Sequence, residues 1–74
     1  MEGTEAGGEP MRTTRELAVY LTDLGIKTTE EMLRLWRHRK TGPAWHKISG
    51  RVYYAGPDVR AWLASTRHET ARAS

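Results

Sequence analysis

A chain of 74 residues with 12 Lys and Arg, 9 Asp and Glu and no cysteine has room for one small domain burying only about 60% of its unfolded surface, and it excludes a disulfide framework or a thiolate metal site. No apolar run approaches the roughly 18 residues that span a bilayer, and Met1 to Pro10 lacks the basic and apolar regions of a signal peptide, so a soluble cytoplasmic protein without membrane contact is expected. The net charge of +3 understates the basic character: the first ten residues hold Glu2, Glu5 and Glu9 and no Lys or Arg, leaving 12 basic against 6 acidic groups, or +6, in the rest.

Residues 1–12 read as a disordered acidic leader, because Gly3, Gly7 and Gly8 interleave its glutamates and such a segment buries too little to order itself. Residues 13–66 carry the periodic patterns of a folded domain. Residues 67–74 read as a tail or a helix extension.

Thr13 and Glu16 make a Thr-x-x-Glu capping box at the start of a helix over 14–24, in which hydroxyl and carboxylate satisfy free amides. Leu17, Ala18, Leu21 and Leu24 recur at helical spacing, and Gly25 supplies a left-handed stop. Ile26 suits a wedge in the turn that follows. Thr28 with Glu31 repeats the capping box, so a second helix opens near Thr29, with Met32, Leu33 and Trp36 inward and Arg34, Arg37 and His38 elsewhere. Two helices joined by a tight Gly-containing turn are a helix-turn-helix.

Gly42 and Pro43 end that segment, and Trp45 to Tyr54 is rich in aromatic and β-branched residues around a Ser49-Gly50 turn signal, which marks a hairpin. A two-residue turn pairs Ile48 with Arg51, setting an aliphatic beside a charged group. A three-residue loop, 49–51, pairs Ile48 with Val52, puts Tyr54 on the same inner face and leaves Arg51 at the tip, with Lys47 and Tyr53 outward. The second register is the expected one. Pro57 and Asp58 then suit the first turn of a third helix, whose buried stripe is Val59, Trp62 and Leu63. The expected fold class is α+β, mostly α: a winged helix-turn-helix of two helices, a two-stranded β-hairpin wing and a third helix.

Arg34, Arg37, Arg39, Lys40, Lys47 and Arg51 lie in one stretch that contains no Asp or Glu. Six unopposed cations on a helix and its neighbouring hairpin suit a polyanion such as double-stranded DNA. A basic surface is otherwise merely a solvated one, and Arg39 and Lys40 in a last helical turn are favoured by the C-terminal carbonyls whatever the protein does. Trp36 and Trp62 sit on apolar stripes as core anchors, while Trp45 and Tyr53 either stack or pack. Catalysis and cofactors are not expected. His38, His46 and His68 lack ligand-like spacing, no thiol accompanies them, and no phosphate loop or nucleophile motif is present.

Three segments, Thr14-Arg15-Glu16-Leu17-Ala18-Val19-Tyr20-Leu21, Trp36-Arg37-His38-Arg39-Lys40-Thr41-Gly42-Pro43 and Lys47-Ile48-Ser49-Gly50-Arg51-Val52-Tyr53-Tyr54, fall in the order seen in excisionases, and Asp58-Val59-Arg60-Ala61-Trp62-Leu63 completes the pattern. Over residues 13–65 the chain resembles the MerR-like winged helix-turn-helix of that group, encoded by actinobacterial phages and integrated elements. The resemblance implies that the second helix enters the major groove with Arg34 and Arg37 facing it. Lys47 and Arg51 would serve a wing in an adjacent minor groove or on phosphate, and Thr14 and Arg15 would meet phosphate. Thr29, Glu30, Arg39 and Lys40 complete the candidate DNA contacts. The turn between the helices is about two residues longer than the family pattern, and Glu30 and Glu31 stand where that pattern has small or basic residues. Glutamate accepts from cytosine N4, and its alternative role here is capping and dipole compensation.

By the same resemblance the expected function is that of a recombination directionality factor, which binds and bends attachment-site DNA cooperatively so that a tyrosine-recombinase integrase runs excision. Its partners would be that integrase and neighbouring copies of itself on DNA. The alternatives are a transcriptional regulator of the same fold, of the AlpA type, and a protein-interaction adaptor with a basic face.

Overall fold

Residues 10–68 are described by a computed structural model, in the order β1 (Arg12–Thr13), α1 (Thr14–Asp23), α2 (Glu30–His38), β2 (His46–Ile48), β3 (Arg51–Tyr54) and α3 (Gly56–Ser65). Together they form a small α+β domain, about half helical, with a three-stranded antiparallel sheet in the order β1-β3-β2. The expected hairpin is thus two strands of three. Arg12, assigned to the leader from sequence, pairs with Tyr54, and Thr13 pairs with Tyr53. Residues 1–9 and 69–74 lie outside the described part.

Thr13 ends β1 and caps α1. Its hydroxyl accepts from Glu16 N–H at 3.1 Å while Glu16 Oε1 accepts from Thr13 N–H at 2.9 Å, the reciprocal box expected from the sequence. The start of α1 is therefore bound to the sheet edge. At the other end Gly25 takes φ 97°, and the N–H groups of Gly25 and Ile26 donate to Thr22 and Leu21 carbonyls at 2.9 and 2.8 Å, a Schellman closure. Leu24, expected in the buried stripe, is the cap residue and stays exposed.

The second cap falls one residue later than expected. Thr28 is buried; its N–H donates to Thr22 Oγ1, its hydroxyl donates to the Ile26 carbonyl, and Thr22 Oγ1 donates to its carbonyl. This mutual threonine pair fastens the turn to α1 and removes Thr28 from capping. Thr29 caps α2 instead, accepting from Met32 N–H at 3.1 Å.

The core is Leu17, Ala18, Leu21, Leu33, Tyr54 and Val59. Around it pack Tyr20, Ile26, Trp36, Val52, Trp62 and Leu63, with the Trp36 and Trp62 rings 5.4 Å apart and inclined by 42°. Fully burying such a side chain stabilises by about 1.5–3 kcal/mol, so each one carries a large share of a small domain's stability.

The hairpin adopts the register that was not expected. Ile48 pairs with Arg51, Lys47 with Val52 and His46 with Tyr53. Both turn residues have positive φ, 52° at Ser49 and 78° at Gly50, the property of two-residue loops whose twist matches the strands. A three-residue loop would have required the left-handed conformation at Arg51. Since directly paired residues share a face and alternate along a strand, Val52, Tyr54 and Lys47 occupy the core-facing side, and His46, Ile48, Arg51 and Tyr53 occupy the other. Ile48 is consequently exposed.

α3 begins with Gly56 buried and Pro57 in the first turn. It ends at Ser65 with Thr66 as its cap, so it does not extend into Arg67 and His68; the rest of the expected tail lies outside the described residues. His46 Nε2 and Asp58 Oδ2, 3.3 Å apart, connect the base of the hairpin to the start of α3.

Candidate nucleic-acid interface

Leu33 is completely buried on α2, and a residue four positions later lies only about 40° further round the helix. Arg37 is that residue. It is half-buried, and its Nη1 donates to Tyr54 OH at 2.7 Å and to Thr14 Oγ1 at 3.2 Å. Its guanidinium carbon is 5.8 Å from the centre of the Trp45 ring. Arg37 therefore joins α2 to the start of α1, to β3 and to the loop before β2. The expectation that it faces outward into a groove is corrected by this geometry, because Tyr54 OH, buried with its ring, needs the donor. Thr14, half-buried, accepts the second of these bonds.

The other cations are distributed by local structure. Arg34 is exposed and 3.8 Å from Glu30 Oε1, one turn earlier, so the expected pair of groove residues is partly neutralised by the acidic first turn of α2. Arg39 is the exposed C-cap. Lys40 follows it at φ 59°, its N–H donating to Arg37 carbonyl and the Thr41 N–H donating to Trp36 carbonyl. The helix is thus stopped by a lysine in the position glycine usually fills, two residues before the Gly42 expected to end it. Gly42, at φ 81°, lies so close to Trp36 that an added Cβ would meet that ring at 3.1 Å.

Lys47 and Arg51, both exposed, stand on opposite faces of the hairpin, as the register requires. Arg15 is exposed on the first turn of α1, while the Thr29 hydroxyl is occupied as a cap. Of the ten expected contact residues, Lys47 and Arg51 are thus divided between two faces and Arg37 is turned inward. What the fold brings together is narrower: Arg37 and Lys40 line a cleft of about 450 Å³ between the end of α2 and the 41–45 segment, with Trp45 opposite. Among the described residues no carboxylate pairs with Arg39, Lys40, Lys47 or Arg51.

Comparison of the chain with protein-family profiles, with curated proteins and with solved structures finds no match.

Trp45 was missed as a site residue by sequence reasoning, which left it between packing and stacking; its signal was a position just beyond the Gly-Pro break, opposite a basic helix end. Arg12 lies outside the site and has a structural contact, covering the Tyr20 ring at 3.9 Å, an attractive cation–π distance that adds a hold on β1. Among the described residues no group of three or more His, Asp or Glu is arranged to hold a metal, and no helix is long and apolar enough to cross a membrane.

Proposed function

We propose that the chain is a sequence-specific architectural DNA-binding protein without chemistry of its own, a winged helix-turn-helix of the excisionase kind. α1 and α2 act as the helix-turn-helix, β2–β3 as the wing and α3 as the support beneath them. The observation that supports this reading is the acid-free run from Arg34 to Arg51, in which Arg34 on α2, Arg39 and Lys40 just beyond it and Lys47 and Arg51 on the adjoining hairpin are exposed, while Arg37 is half-buried. The placement of Lys47 and Arg51 on opposite faces suits a ribbon entering a minor groove edge-on, because that groove is bounded by two phosphate strands and each face meets one of them. Arg34 and Glu30 sit on the exposed side of α2 toward the major groove, and Arg15 stands beside the backbone.

Small domains of this type cover about 600–1,000 Å² of protein surface on DNA, and five phosphate contacts give a slope near −4.5 of log affinity against log salt, at about 0.9 each. One copy binds loosely on such terms. Several copies side by side, each tilted by its neighbour, hold the duplex firmly and bend it, which is the state an integrase of the tyrosine-recombinase class uses for excision. The test is a footprint and a circular-permutation gel on the attachment region of an integrated element encoding the chain. Adjacent protected repeats, filled cooperatively with increasing bend, are the expected result; occupancy of one isolated site with no bend would contradict it.

A further inference from the structure

We propose that the cleft between the end of α2 and the 41–45 segment is a phosphate-binding site, distinct from the groove-facing side of α2, and that it takes a backbone phosphate of the bound duplex. The DNA source rests on the reading above; the phosphate chemistry rests on the cleft itself. Its volume, about 450 Å³, accommodates a phosphate with part of its sugar. Two of its lining residues, Arg37 and Lys40, are cationic, and none is acidic.

Arg37 is held in place before any ligand arrives. Both of its bonds, to Tyr54 OH and Thr14 Oγ1, come from Nη1, and among the described residues nothing is bonded to its Nε or Nη2. A fixed guanidinium with donors to spare is suited to an oxyanion, since little rotamer entropy is lost on binding. Trp45, 42% exposed, completes the lining, with its ring centre 5.8 Å from the Arg37 guanidinium carbon.

Lys40 is the second, independent observation. It occupies left-handed backbone at φ 59°, where glycine is the unstrained residue, at a helix end that glycine would close equally well. Local strain of this kind is characteristic of positions whose side chain has a task. Here the strained residue lines the same cleft as a pre-oriented arginine, and among the described residues neither Lys40 nor Arg37 is neutralised there by a carboxylate.

The variant K40G separates the roles, because relief of strain raises its melting temperature while the cation is lost, so misfolding does not confound the result. Full-length wild type and K40G are titrated with a mixed-sequence duplex over a range of salt, and separately with sodium pyrophosphate while the amide resonances of residues 40 and 41 and the Trp45 indole resonance are followed. The expected result is a higher melting temperature for K40G, weaker binding to every duplex, and a salt slope shallower by about 0.9. If K40G keeps the wild-type affinity and slope, the site is overturned while DNA binding stands. Should wild type bind no duplex at any salt, the DNA reading is overturned; pyrophosphate shifts seen in wild type and lost in K40G would then uphold the phosphate site with a free ligand as its source, and their absence would overturn it as well.

Discussion

Arg37 donates to Tyr54 OH and Thr14 Oγ1 from the half-buried side of α2, so its removal leaves a buried phenol without a partner. An unsatisfied buried polar group is destabilising by about 1–3 kcal/mol. R37A is therefore expected to lower stability by about 2 kcal/mol in urea unfolding, and the loss should shrink when Tyr54 is already phenylalanine, since the two share one bond. Additive losses in that double-mutant cycle would contradict the account of Arg37. Gly42 invites a second substitution: G42A combines a left-handed backbone with a Cβ 3.1 Å from Trp36, and a loss exceeding about 1 kcal/mol is expected from the melting curve. Arg37 was legible as basic but not as inward. Counting four residues from Leu33 would have placed it beside the buried stripe, yet a charged residue there is assigned to the surface unless its partners, Tyr54 and Thr14, are known to arrive from elsewhere in the chain.

Elements with short-range rules were the most legible. The Thr13–Glu16 box follows from side chains three positions from the amides they satisfy, the Gly25 stop from its positive φ, and the start of α3, which has no side-chain cap, from Pro57 in its first turn. The hairpin register was not legible, because two loop lengths each place some apolar residues inward, and the choice lay in Ser49 accepting positive φ. Likewise the Thr28 cap failed because Thr22, six residues away, engages Thr28 first. β1 is too short to carry an alternation pattern of its own. The register has a measurable consequence. With Lys47 and Arg51 on opposite faces, K47A and R51A are each expected to flatten the salt slope of DNA binding by about 0.9, and the double variant by about 1.8, because each would lose a separate phosphate. A double variant no flatter than either single one would place both side chains on one phosphate and contradict the edge-on ribbon.

At the scale of the whole molecule, a core of six buried residues supports a surface whose cations are sorted rather than pooled. Arg37 is half-buried and bonded to Tyr54 and Thr14, Arg34 is offset by Glu30, and the remainder are carried by the end of α2 and by the hairpin. Charge balance in the sequence anticipated the acid-free run; it did not anticipate how the fold would divide it, since division depends on which helix face the sheet covers. Whether these cations bind DNA is decided by selecting duplexes from a randomised pool with the full chain and then measuring affinity for the enriched duplex across salt. Enrichment of a short motif and a log–log salt slope near −4.5, for about five phosphates neutralised, are expected. A pool that stays random after repeated rounds, together with affinity that does not change with salt, would contradict DNA binding by these cations.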